Sequence, residues 1–131
     1  MRYLLDSDWI INYLAGNTDA KETLLRIDPD DIGISLVTVA EVYESAYNFA
    51  NPEAHLEKFR DFHNSFHLLD LNLPIIETFA EVRAHLRRRG ELIADFDILL
   101  GATALHYDLT LLTYNTRHFA RIPHLKMYPQ S

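Results

Sequence analysis

The sequence contains no cysteine, which excludes a disulfide framework, a thiolate zinc site and a cysteine nucleophile. It also has no apolar run near the ~18–20 residues that a membrane-spanning helix needs. An acid, Asp6, comes too early for the apolar region of a signal peptide, so we expect a soluble, cytoplasmic protein with no membrane partner. Positive charge is scarce as well, because 12 Lys and Arg stand against 19 Asp and Glu and give a formal net charge of -7. Any role with nucleic acid therefore requires a local basic patch or a bound metal ion.

What remains is the composition of an ordinary globular protein, with 131 residues, 48% hydrophobic and 24% charged. No linker or repeat divides the chain, so residues 1–131 are predicted to form one domain. Short apolar runs alternate with helical patterns, and the candidate strands lie at 3–5, 32–36, 67–71, 109–113 and 126–128. This alternation predicts an α/β fold of three layers, in which helices cover both faces of a central parallel sheet.

Four polar residues follow the predicted strands or open the predicted helices, and they are Asp6, Glu41, Asp97 and Asn115. In parallel α/β folds the carboxyl ends of the strands meet at one edge of the sheet, where functional sites lie. Carboxylates gathered there without a matching lysine favour a divalent cation, and hard oxygen ligands suit Mg²⁺ or Mn²⁺.

Each of these acids except Asp6 also has a purely structural interpretation. Glu41 completes a possible capping box that begins at Thr38. Asp8 could be the N-cap of the first helix, while Asp95 and Asp97 suit the first turn of a helix, where the dipole favours negative charge. An acid that ends a buried strand, as Asp6 does, is harder to explain without a function.

Four segments resemble, in order, the four motifs of PIN-domain ribonucleases. They are Tyr3–Asp8, Ser35–Val42, Gly90–Ala104 and Leu111–Phe119. The similarity covers about residues 2–128, and the Thr-x-Asn-x-Arg-His-Phe ending is most similar to that of VapC-type toxins. This resemblance implies a PIN-like fold and an Mg²⁺- or Mn²⁺-dependent endoribonuclease of a prokaryotic toxin–antitoxin pair. It also implies RNA as substrate, a homodimer, and a cognate antitoxin that silences the enzyme.

The resemblance assigns roles residue by residue. By position, Asp6, Glu41 and Asp97 carry the metal-binding acids, and together with Asn115 they form the predicted catalytic set. Glu41 would hold a water beside the metal or help to deprotonate it. Thr113 and Asn115 would orient the acids or the scissile phosphate as neutral hydrogen-bonding groups.

The sequence departs from the family pattern at several positions. Asp8 stands where the first motif usually has asparagine, and Gly101 replaces a usual alanine. Asn115 occupies the position at which some members have a fourth acid. Asp95 would either compensate for that acid or only cap its helix.

Two other functions stay open at this point. One is a catalytically idle PIN-like module that binds RNA or a protein partner. The other is a phosphatase-like enzyme that uses Asp6-Ser7-Asp8 as nucleophile and acid, although no lysine stands at a matching later strand. The arginine run Arg87–Arg89 is either an RNA contact or a solvated helix end.

Overall fold

Five parallel strands form the centre of the computed structural model, which describes residues 1–129. In chain order the strands are β1 Tyr3–Leu5, β2 Ile32–Ser35, β3 His67–Leu69, β4 Thr110–Leu112 and β5 Lys126–Met127. The helices are α1 Ser7–Leu14, α2 Thr18–Leu25, α3 Leu36–Ser45, α4 Pro52–His63, α5 Leu73–Arg88, α6 Asp95–Tyr107 and α7 Thr116–Phe119. The strand order is β3-β2-β1-β4-β5, and every neighbouring pair is parallel. The predicted α/β architecture is confirmed.

Helices cover both faces of the sheet because successive strand residues point to opposite faces. Leu4 and Leu5 of β1 are both fully buried but belong to different hydrophobic clusters. The Leu5 cluster takes its helical residues from α1 to α4, and the Leu4 cluster takes its own from α5 to α7. One hydrophobic core therefore lies on each face of the sheet, and the three layers are helices, sheet and helices.

The parallel topology places the carboxyl ends of β1, β2 and β4 side by side. Leu5 pairs in register with Leu112, and the N–H of Asp6 donates to the carbonyl of Leu112 at 2.9 Å. The hydroxyl of Thr38, in the first turn of α3, donates to the carbonyl of Leu5 at 3.3 Å. The residues that follow these three strands are therefore tied to one another at the edge of the sheet.

Two of the structural interpretations of the acids are wrong. Ser35 caps α3, with its Oγ accepting from the N–H of Val37 at 3.1 Å, so Thr38 lies inside the helix and forms no capping box with Glu41. Asp6 caps α1, which leaves Asp8 in the first turn. Neither Glu41 nor Asp8 therefore caps a helix in the way that the sequence suggested.

Gly101 has a packing reason that the sequence alone does not show. It is buried in α6, and a Cβ added there would overlap Cδ1 of Ile122. The missing methyl group lets the segment after α7 pack directly on α6. Among residues 1–129, no helix combines the length and the apolar character that crossing a bilayer requires.

Candidate active site

Three carboxylates from three separate elements converge at the carboxyl edge of the sheet. Asp6 follows β1, Glu41 lies in the second turn of α3, and Asp97 lies in the first turn of α6. One carboxylate oxygen from each of the three lies within 4.8 Å of the others. The structure therefore brings together the three acids that the sequence predicted to bind a metal ion.

Asp6 is the most strongly held of the three. Its side chain is 3% exposed, its Oδ1 accepts from the N–H of Ser7 at 2.8 Å, and its Oδ2 accepts from the hydroxyl of Thr113 at 2.7 Å. Burial, followed by the negative charge of Asp8, raises the pKa of Asp6 to about 8. Without a counter-charge, this carboxyl group therefore holds its proton near neutral pH.

Thr113 links Asp6 to the loop that follows β4. Its Oγ1 accepts from the N–H of Asn115 at 2.9 Å and lies 3.4 Å from Oδ1 of Asp8. The N–H of Tyr114 donates to the same Asp8 oxygen at 3.4 Å. The structure thus places Thr113 and Asp8 beside the acid cluster, at the positions where the sequence predicted supporting roles.

The pKa values of Glu41 and Asp97 are also raised. Burial raises the pKa of Glu41, and the charge of Asp97 raises it further. Burial also raises the pKa of Asp97, while the nearby charge of His118 acts in the opposite direction. Within the described part of the chain, none of the three acids forms an ion pair.

The donor set fits a hard divalent cation. Oε1 of Glu41 is buried and has no hydrogen-bond partner among residues 1–129, which is costly for a carboxylate oxygen unless something else satisfies it. Three carboxylates without nitrogen or sulfur ligands suit Mg²⁺ or Mn²⁺ rather than a softer ion. Asp6, Glu41 and Asp97 are the residues that would hold it.

Two further predicted residues lie outside this cluster. Asp95 is exposed, and its Oδ1 accepts from Nε of Arg83 on α5 at 2.9 Å. This ion pair gives Asp95 a role in joining α5 to α6. Asn115 is half-buried at the N-cap position of α7, without a side-chain capping bond, so its amide is available at the same edge of the sheet.

The family assignment follows from the whole chain. The sequence model of the family described as PIN domain matches residues 3–125. The chain belongs to the PIN domain family.

Similar proteins agree with this assignment. Ribonuclease VapC2 of Haemophilus influenzae is 29% identical over 124 residues, which are 93% of this chain and 92% of that protein. A toxin–antitoxin complex from Klebsiella pneumoniae contains a chain with a TM-score of 0.76 and 27% identity, and the match covers 94% of both chains. VapBC2 from Rickettsia felis, bound to a DNA fragment from its promoter, has a chain with a TM-score of 0.90 at 22% identity, and it covers 100% of both chains. That last likeness shows the PIN fold.

The arginines of this PIN domain are only partly available to a substrate. Arg83 pairs with Asp95, and Arg89 pairs with Glu91 at 3.3 Å. Arg87, Arg88 and Arg117 are exposed, and none of them forms an ion pair within residues 1–129.

His118 is not among the site residues that the sequence predicted. The residue is exposed on α7, and its charge acts on Asp97. Its position next to Arg117, within the fourth motif segment, is the signal that could have indicated a cationic side of the site.

Replacing Thr113 with valine is expected to destabilise the fold by about 1–3 kcal/mol, because the buried Asp6 and the N–H of Asn115 each lose a short hydrogen bond. Thr113→Ser keeps the hydroxyl and should recover most of that loss. Urea unfolding followed by circular dichroism measures both variants. Equal stability of the valine and serine variants would show that the hydroxyl does not hold Asp6.

Proposed function

We propose that this PIN domain is an endoribonuclease that hydrolyses RNA phosphodiester bonds with Mg²⁺ or Mn²⁺, and that it is the toxin of a type II toxin–antitoxin pair. The observation that carries this proposal is the convergence of Asp6, Glu41 and Asp97, with one buried Glu41 oxygen left without a partner. An idle binding module has no use for such a cluster, since uncompensated like charge destabilises the fold.

The chain's own residues divide the work of phosphodiester hydrolysis. Asp6 is immobilised by Ser7 and Thr113, so its oxygens keep a fixed position on the floor of the site. Glu41 would accept a proton from an attacking water, and its raised pKa makes it a better base than an ordinary glutamate. A divalent cation held by the three acids would supply charge neutralisation of the phosphate and would acidify water.

Neutral and cationic groups at the same edge would orient the substrate. Asn115 can donate its amide to a phosphate oxygen without adding charge, and Thr113 keeps the Asn115 backbone in place. Arg117 and His118 stand on α7 next to Asn115 and would face the phosphate backbone. These few cations answer the objection that the chain as a whole carries a net charge of -7.

The proposal extends to the protein's partners and location. One structural neighbour is a toxin–antitoxin complex, and we propose that a cognate antitoxin encoded beside this chain silences it. We further propose a homodimer in the cytoplasm. Light scattering of the purified protein would test the dimer, and co-purification with the product of the neighbouring reading frame would test the antitoxin.

Purified protein is expected to cleave members of a panel of structured RNAs when Mn²⁺ or Mg²⁺ is present, and to be inactive in EDTA. Product ends located inside the RNAs would establish endonucleolytic cleavage. Activity that survives exhaustive chelation would contradict the metal site. Binding of RNA without cleavage in any metal would favour the idle module instead.

A further inference from the structure

A cavity of about 350 Å³ opens directly beside the acid cluster. It lies between α1, α2, the end of β4 and the segment after β5, and its volume is within the ~300–1,000 Å³ range of small-molecule pockets. Thr113 lines this cavity and also donates to Asp6. A group bound there would therefore be a direct neighbour of the proposed site of cleavage.

Two aromatic residues that line the cavity are fixed in place by their neighbours. Trp9 is 4% exposed and stacks on Tyr13 with ring centroids 5.9 Å apart and an interplanar angle of 12°. Tyr128 packs edge-on against Tyr3 at 5.8 Å, and its N–H donates to the carbonyl of Leu111 at 2.8 Å. The exposed parts of these fixed rings can pack against an unstacked nucleobase that enters the cavity.

Two exposed charged side chains, one an acceptor and one a donor, also line the cavity. Asp19 and Arg26 both line it, and neither forms an ion pair within the described residues 1–129. Tyr114 also lines the cavity, and its hydroxyl donates to Oδ1 of Asn17 at 3.4 Å. Burial, followed by the charges of Asp19 and Asp8, raises the pKa of Tyr114.

We propose that this cavity binds one guanine base of the RNA, next to the phosphodiester bond that the carboxylates cleave. The inference rests on the proposed ribonuclease function. Guanine offers N1–H and N2–H donors to the Asp19 carboxylate, and its O6 and N7 accept from the Arg26 guanidinium. Uracil has a single N–H donor, and adenine lacks the paired donors of the guanine edge, so neither satisfies both side chains.

The single tryptophan of the chain provides a direct test in the absence of metal, because Trp9 lines the cavity. In ¹H–¹⁵N spectra recorded in EDTA, guanosine 5′-monophosphate should shift the Trp9 indole signal at lower concentrations than the uridine, cytidine or adenosine monophosphates do. Asp19→Asn should weaken the guanosine monophosphate response by about 10-fold, within the range for a lost bidentate contact to a base. Arg26→Gln should weaken it as well.

The matched control is Glu22→Gln, which removes an exposed carboxylate of the same helix, α2, that does not line the cavity. This variant should respond as the parent does. Equal responses to all four nucleotides, no response, or a response that does not depend on Asp19 would each overturn the guanine site. A Trp9 shift with the antitoxin but with no nucleotide would overturn it too, and would assign the cavity to the protein partner.

Cleavage assays separate this inference from the proposed function. If the protein cuts RNAs whether or not a guanine adjoins the cut, and Trp9 does not respond, the guanine site fails while the ribonuclease stands. If Trp9 responds to guanosine monophosphate through Asp19 but no RNA is cut in Mn²⁺, the guanine site stands and the proposed function fails.

Discussion

Replacement of Asp97 by asparagine is expected to reduce RNA cleavage at saturating Mn²⁺ by at least about 100-fold, since changes to groups that only support metal ligands already cost about 10–100-fold. Glu41→Gln and Asp6→Asn should be equally severe, because each keeps the side-chain shape and removes the charge that the cluster contributes. Initial rates of cleavage of one RNA measure all three variants. Relief of growth arrest during expression without the antitoxin should report the same losses in cells.

Two matched substitutions make this test specific. Asp61→Asn removes an exposed carboxylate on α4, outside the three-acid cluster, and it should leave cleavage unchanged. Asp95→Asn breaks the ion pair with Arg83 and should have a small effect, because Asp95 lies outside the three-acid cluster. Full activity of Asp97→Asn, or a loss in Asp95→Asn as large as in Asp97→Asn, would move the catalytic role to another residue.

The acid set could be predicted from the sequence because topology fixes where these residues lie. Once the strands are parallel, the residue after β1, the second turn of α3 and the first turn of α6 all lie near one edge of the sheet. The most informative pattern was therefore the position of each acid relative to the predicted strands and helices. That position changes little when a strand or helix boundary is predicted one or two residues away from its true place. The alternation of short apolar runs with helices likewise predicted the three layers. Neighbouring strand residues such as Leu4 and Leu5 point to opposite faces of the sheet, so burying both requires helices on both faces.

Details of capping could not be predicted in the same way. Ser35 and Thr38 are both good capping residues, and the local sequence does not choose between them. The choice is made by the sheet, because Ser35 still pairs in register with Leu69 of β3 and α3 begins directly afterwards. The role of Asp95 depends similarly on its contact with Arg83, which comes from the packing of α5 against α6.

The cavity beside the site could not be predicted from the sequence for a related reason. Trp9, Asp19 and Tyr128 come from segments that no local pattern connects, and only the completed sheet brings them around one space. Helix α7 could not be predicted, because four residues are too short to show a helical period, although its Phe119 is fully buried.

The metal-free protein is expected to lose stability as the pH rises from about 4 to 8, and Asp6→Asn should remove much of that loss. The folded state holds the Asp6 proton up to a pKa of about 8, whereas the unfolded value is 3.8. Because the folded pKa is raised, folding carries no penalty below the unfolded pKa, and the penalty grows as the pH rises toward the folded one. A single group of this kind changes the free energy of unfolding by up to ~1.4 kcal/mol per pH unit.

Thermal melts in EDTA at several pH values between 5 and 8 measure this effect. Asp6→Asn should melt above the parent at pH 8 and approach it at pH 5, since asparagine can still cap α1. Asp97→Asn, which also relieves repulsion in the cluster, should change in the same direction, whereas Asp61→Asn, at an exposed position on α4, should follow the parent.

Adding Mn²⁺ at pH 8 should then raise the melting temperature of the parent more than that of Asp6→Asn. Binding to the native state stabilises it by mass action, by about 2.7 kcal/mol at a hundredfold excess over the dissociation constant, and the parent has the full set of ligands. The ionised carboxylates of the cluster thus destabilise the metal-free fold and are also the groups that would bind the ion. An Asp6→Asn variant that melts below the parent in EDTA, together with no Mn²⁺ response in the parent, would reduce Asp6 to a helix cap.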